Sequence, residues 1–418
     1  MEYDCAAMRI RWVILSLLFF ATTINYLDRA ILGVILPEIR ERFHFGLQAY
    51  GTIQMAFQIA YGVGSLIGGG LLDRYGTRIG YGISAALWSL AATLNAFAGS
   101  AFQFGLFRIA LGLGESANFP ACNKAVAEWF PPRERATAIG IVNSGTNVAN
   151  IIGPPLFILL ALKLGWRWCF GIMGALGFLW LPVWWLFYHL PRQESALAQP
   201  VSKLSIKEVL KYKQAWGYAW AKFFTDPVWW FYLFWLPTYL TDVRHFTPTQ
   251  RGTALIVIYA ISGVGAVAGG VLADFFIKKR GWPVGKARKR TLLLFAAVMP
   301  VCGLGVVVPD ARLAVLLFGL ATAAHQAWMT NLFTTPSDVF PAQAVGSTNG
   351  FGVSIGAFGG ALLSGLIPGT VIPIVGYIPV LLTMSCFYLI AWLIVHWLMG
   401  NLEPVVLSQG ERQPVPLA

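Results

Sequence analysis

Apolar runs of about span length recur along almost the whole of this chain, and they leave it few ways to fold. A helix needs roughly 20 apolar residues to cross the hydrocarbon core of a bilayer. In lipid every backbone polar group must be satisfied internally, so runs of this length read as helices. Composition agrees: of 418 residues 57% are hydrophobic and 11% charged, where a soluble domain carries about a quarter charged. The expectation is an all-α membrane protein with twelve transmembrane helices. Their approximate bounds are 12–36, 47–72, 79–98, 102–121, 135–160, 167–189, 216–241, 251–273, 290–308, 312–335, 345–367 and 375–399.

The longest polar interval divides these spans six and six. The organisation that follows is an N-terminal extension (1–11), a six-helix bundle (12–190), a cytoplasmic linker (191–214), a second six-helix bundle (215–400) and a tail (401–418). The residues before Met8 read as a dispensable extension, with no cleavable signal peptide. Ser202 to Leu210 in the linker resembles a short amphipathic helix on the membrane surface.

A net charge of +12 could suggest nucleic acid as a partner. The basic residues instead cluster in alternate loops between apolar runs, which excludes a basic binding face. With both termini cytoplasmic, inner segments hold 20 Lys and Arg and outer loops hold 7, as the positive-inside rule demands. Five scattered cysteines show neither a disulfide framework nor metal-ligand spacing and read as small buried hydrophobes. No metal or cofactor is expected. The absence of an HExxH pattern or a nucleophile–base pair argues against an enzyme.

The halves repeat. Ser65 to Asp73 is echoed by Ala266 to Asp274, Leu36-Pro37 by Leu236-Pro237, and Glu128-Trp129-Phe130-Pro131 by Asp338-Val339-Phe340-Pro341. Parallel repeats of this kind imply a pseudo-symmetric pair of bundles with a substrate site between them, near mid-membrane.

Three acids (Asp28, Glu115, Asp226) and three bases (Arg29, Arg108, Lys222) lie inside the expected spans. Each costs about 2.5–3.5 kcal/mol at mid-span on insertion scales, so six of them point to a polar cavity. Arg29 offers a permanently charged, planar fork of donors that suits a carboxylate. Asp28, one residue away, diverges by about 100° and is expected to face a neighbouring helix instead. Arg108 and Glu115 share a face of span four, and Gly112, Gly114 and Ser116 let another helix approach closely there. A carboxyl at Glu115 could bind and release a proton near neutral pH. Lys222 and Asp226, four apart, can pair on span seven, as a substrate contact and gate or simply as a structural bridge. His325, Gln326 and Asn331 form a polar stripe on span ten, a candidate ligand surface or a set of helix–helix hydrogen bonds. Asn118 is counted among the candidate substrate contacts. Tyr26 and Tyr61 add hydroxyls in spans one and two.

These residues carry a family resemblance. Gly70-Leu71-Leu72-Asp73-Arg74-Tyr75-Gly76-Thr77-Arg78 resembles the loop signature of the major facilitator superfamily, and Arg108 to Glu115 resembles its fourth-helix motif. Asn25-Tyr26-Leu27-Asp28-Arg29 and Glu128 to Arg135 look like its anion:cation symporter branch. Phe223 to Trp230, Ala324 to Trp328 and Ser337 to Pro341 are most similar to bacterial hexuronate transporters. The resemblance spans about residues 8–400. It implies a monomeric transporter of the bacterial inner membrane that imports a sugar acid such as galacturonate or glucuronate with protons. It also implies that Arg29 binds the carboxylate, Tyr61 contacts the substrate, Asp28 and Glu115 carry protons, and Arg108 modulates Glu115. Asp73, Arg74 and Arg78 would latch the inner face. The second-half copy of that loop lacks the regular Gly-x-Arg ending. Other cargoes (galactonate, glucarate, an aromatic carboxylate) and sodium coupling stay open.

Overall fold

The computed structural model describes residues 2–130, 134–189 and 206–405. Most of the expected linker, the tail from 406, Pro131-Pro132-Arg133 and the side chain of Asp73 lie outside the described residues. Every regular element among the described residues is helical.

The first half runs α1 (Glu2–Val34), α2 (Leu36–Phe43), α3 (Leu47–Asn95), α4 (Ala101–Glu115), α5 (Asn118–Trp129), α6 (Arg135–Leu164) and α7 (Trp166–Phe187). A four-residue helix α8 (Ile206–Val209) is the described end of the expected surface helix. The second half runs α9 (Lys213–Phe234), α10 (Leu236–Asp242), α11 (Pro248–Lys278), α12 (Val284–Gly303), α13 (Ala311–Val339), α14 (Ala342–Gly360), α15 (Ile367–Val375) and α16 (Tyr377–Leu398). A π-helical stretch, Ala361–Leu366, joins α14 to α15.

Eight helices among the described residues are long and apolar enough to cross a membrane. The other expected spans differ in form. Spans two and three lie in α3, where two helices meet at a kink: Gly76 leaves helical geometry there at φ +76°, a conformation that glycine reaches without a Cβ penalty. Span four is divided into α4 and α5 just after Glu115, and span seven into α9 and α10 at Trp235. The divided spans four and seven hold four of the six buried charges, Arg108, Glu115, Lys222 and Asp226.

The repeat has backbone counterparts. α2 and α10 both open on Leu-Pro, where proline needs no helical N–H. His44 and His245 both take a left-handed conformation just after them, at φ 53° and 54°. Gly165 and Gly376 repeat a positive φ between long helices. α5 and α13 both end in an extended phenylalanine, Phe130 and Phe340.

Packing follows the halves. α1 lies on α6 and α7, and α3 on α4 and α7; α9 lies on α14 and α16, and α11 on α13. The halves meet where α3 packs on α14 and α15 and where α6 packs on α11. The end bearing α2 and α10 is bridged from half to half. Arg40 pairs with Asp242 at 2.9 Å and Arg251 with Glu38 at 2.5 Å. Below them Tyr50 Oη donates to the carbonyl of Phe234 at 2.9 Å, and Gln58 Nε2 to Ser364 Oγ at 2.9 Å. Cys122, Cys169 and Cys302 are buried thiols, but Cys386 is exposed on α16, against the expectation of burial.

Candidate functional site

Arg29 sits in α1 and Glu115 closes α4. Their ion pair joins the two helices: Arg29 Nη2 lies 2.8 Å and Nε 2.9 Å from Glu115 Oε2. Asn25, one turn earlier, accepts from Nη2 at 3.3 Å. Arg29 is 1% exposed and Glu115 0%. Small residues bring α4 this close. A Cβ at Gly112 would stand 2.5 Å from the carbonyl of Phe57, and one at Gly114 2.7 Å from the amide of Trp88. Both contacts are with α3, so the glycines seat α4 between the two limbs of the bent helix.

The guanidinium is walled by rings. Its central carbon lies 4.6 Å from the Tyr61 centroid, 4.8 Å from Tyr26, 5.0 Å from Trp230 and 5.6 Å from Phe57. Three of these come from the first half and Trp230 from the second. Cation–π contacts of this kind contribute about 0.5–2 kcal/mol each as they become desolvated. Arg29 is thus closed in, an arginine capped by an aromatic ring from across the interface.

Asp28 and Arg29 do diverge. Asp28 is 1% exposed, and neither carboxylate oxygen has a hydrogen-bond partner among the described residues. Arg108 donates from Nη1 to the carbonyl of Arg29 at 3.3 Å, while its Nε and Nη2 have no such partner. Sequence spacing put Arg108 on the same face as Glu115, yet the ion pair of Glu115 runs to Arg29. Of the three acids and three bases, Asp28 and Arg108 have no ion pair among the described residues.

The second half gathers its charges on one helix. Lys222 Nζ lies 2.8 Å from Asp226 Oδ2 and 3.1 Å from Oδ1, with Phe333 4.4 Å from the ammonium. Lys222, Asp226 and Trp230 are each four residues apart and share the face of α9 that packs on Gly352, Gly356 and Gly360 of α14. A methyl at Gly356 would overlap the Asp226 carboxylate, and one at Gly360 would lie 3.0 Å from Trp230. His325 bonds through Nδ1 to the Tyr388 hydroxyl and stacks on Trp229 at 5.1 Å.

Some expected groupings separate. The stripe on α13 divides: His325 turns to α9 and α16, whereas Asn331 donates to the carbonyl of Gly269 on α11 and accepts from Arg288 at 3.3 Å. They lie six residues apart, about 120° around the helix, so one ligand surface does not hold both. Gln326 is half-buried beside them. Asn118 accepts from Tyr81 Oη at 2.5 Å and donates to Thr22 at 3.3 Å, a polar knot inside the first half. Arg78 donates to the carbonyl of Trp185 at 2.7 Å, also within that half, and Arg74 is exposed over Tyr75.

Phe57 and Asn25 are not among the expected site residues, although each stands four residues before one that is (Tyr61, Arg29), which is a readable helical spacing. Trp230 closes the Phe223 to Trp230 stretch, whose spacing alone gives it no role. Tyr388, 63 residues from His325, has no local signal.

A helical membrane chain in two related halves, with an ion pair buried inside each, is the architecture of a secondary transporter. The sequence matches the Major Facilitator Superfamily over residues 18–364, and the chain belongs to that family. It is 29% identical to the hexuronate transporter of Escherichia coli strain K12, over 97% of this chain and 98% of the relative. It is 28% identical to the galacturonate transporter of Dickeya chrysanthemi, over 69% of this chain and 89% of the relative. Among solved structures, a D-xylose-proton symporter shares the fold with a TM-score of 0.77 at 16% identity, covering 94% of this chain and 98% of that one. The protein is a multi-pass membrane transporter rather than an enzyme.

Proposed function

We propose that this transporter is a proton-coupled importer of hexuronates, working by alternating access in the bacterial inner membrane. The observation that carries the reading is the buried Arg29–Glu115 pair under its aromatic cap. While Glu115 is ionised it satisfies Arg29, and a substrate carboxylate has no reason to displace it. Protonation of Glu115 removes that partner and leaves a guanidinium buried without a counter-ion, which costs several kcal/mol. A sugar carboxylate that enters restores the pairing through the Nε and Nη2 donors that Glu115 releases. Proton and anion therefore bind best together. Asp28, buried with free oxygens beside the guanidinium of Arg108, serves as a second proton carrier.

The halves 12–190 and 215–400 rock about this site as six-span bundles, twelve spans in all, with both termini cytoplasmic. On that topology the bridges Arg40–Asp242 and Glu38–Arg251 close the outer side. Two protons per monoanion move one net charge, worth about 2.3 kcal/mol per 100 mV. Lys222 and His325, with Tyr26 and Tyr61, complete the substrate's surroundings, and the machine works as a monomer without a cofactor.

The test is uptake of labelled galacturonate into sodium-free proteoliposomes after a pH jump. Accumulation driven by an inward proton gradient supports the reading. Uptake that needs sodium, or that ignores the gradient, overturns the proton coupling. Competition by galactonate, glucarate or an aromatic acid more effective than by glucuronate overturns the cargo.

A further inference from the structure

α6 is the first-half helix that packs on both α1 and α11, and its faces can be assigned one by one. Gly145 and Gly153 seat on α1, where an added Cβ would meet the carbonyl of Phe19 at 2.8 Å and Leu27 at 3.1 Å. Pro155 and Ile158 seat on Gly252 of α11. Ile152 and Leu159, each 49% exposed, turn to lipid. At about 100° per residue these three faces leave one arc, opposite the lipid and between the two halves. Asn143, Asn147 and Asn150 occupy it. Asn143 is exposed, Asn147 half-buried and Asn150 only 2% exposed, so the arc passes from open space into closed protein.

At the closed end, neither Oδ1 nor Nδ2 of Asn150 has a hydrogen-bond partner among the described residues. A buried amide left wholly unsatisfied is rare and costly, and an apolar residue of the same shape would be better for stability alone. Such a cost is characteristic of a group kept for a ligand.

We infer that Asn150 reads hydroxyl groups of the bound substrate, donating from Nδ2 and accepting at Oδ1. The inference rests on the sugar-acid reading and adds its specificity element. Arg29 recognises a carboxylate, which every organic anion carries. Asn150 demands a polyhydroxylated body, because a cargo without hydroxyls leaves the amide unpaired. A site that hydrogen-bonds a hydroxyl rejects analogues lacking it far more strongly than an apolar pocket discriminates by size.

The experiment uses purified full-length protein and labelled galacturonate, displaced by unlabelled galacturonate or by cyclohexanecarboxylate, a ring acid without hydroxyls. In Asn150→Leu the preference for galacturonate over the ring acid should shrink at least about tenfold, the value of one lost hydrogen bond to a ligand. Asn150→Ser, which keeps one donor and acceptor, should fall between. The thermal midpoint of ligand-free Asn150→Leu should equal or exceed that of the wild type. A lower midpoint would make the asparagine structural and overturn the inference, as would an unchanged preference in a stable variant. A wild-type protein that binds no hexuronate would overturn the cargo reading and this inference together, so the two failures are distinguishable.

Discussion

In the first half, the buried guanidinium and carboxylate come from different helices, Arg29 on α1 and Glu115 on α4. In the second half, Lys222 and Asp226 lie one turn apart on α9. The difference matters for coupling. An intrahelical pair can form or break while its helix stays in place, so its protonation need not report on the position of anything else. A pair between helices, capped by Trp230 from the opposite half, ties protonation to helix position and to contact between the halves. On the proposed function, the first half would therefore link proton and substrate, and the second half would enclose the substrate.

Substitutions can break this division, and the largest effect is expected at Arg29. Arg29→Ala should reduce galacturonate uptake more than about 100-fold, since losing a buried charge partner costs about 3–5 kcal/mol. Arg29→Lys should rescue little, because an ammonium lacks the planar fork. Lys222→Ala should cost less, and it should leave the dependence on the proton gradient intact. Gradient dependence lost in Lys222→Ala but kept in Glu115→Gln would invert the comparison. Next comes the aromatic cap: Trp230→Ala should weaken uptake by about tenfold through the lost cation–π contact, with Trp230→Phe intermediate. Equal uptake in all three proteins would remove the cap from the account. The smallest effect is expected at the bridged end. Arg40 and Asp242 are partly exposed, and such pairs are worth about 0.2–1 kcal/mol. Arg40→Asp should change the transport rate by about fivefold or less, and adding Asp242→Arg should restore it. Failure of the double exchange to restore the rate would mean that these residues do not act as a pair.

Much of this was legible in the sequence because charge in an apolar run is expensive and conspicuous. Asp28, Arg29, Arg108, Glu115, Lys222 and Asp226 stand out for that reason, and all six lie buried or nearly so. The small residues around Glu115 announced a close helix approach, and Gly112 and Gly114 make one. Partner choice was less legible. Periodicity within one helix places Arg108 beside Glu115, but only the tertiary fold brings Arg29 of α1 to the carboxylate on α4, 86 residues away. The same limit applies on α13, where a contiguous polar stretch reads as one surface although His325 and Asn331 turn to different neighbours. Breaks within spans were also hidden. Span four breaks after Glu115 and span seven at Trp235, inside runs that read as single spans, whereas the loop signature around Gly76 does mark a kink between two helices.

The central claim is that Glu115 holds Arg29 until it is protonated. Its most direct test compares two measurements on Glu115→Gln in proteoliposomes: exchange of labelled for unlabelled galacturonate, and accumulation under an inward proton gradient. Glutamine mimics the protonated acid, so the account predicts exchange near wild-type rates with gradient-driven accumulation abolished. Wild-type accumulation by Glu115→Gln would contradict it.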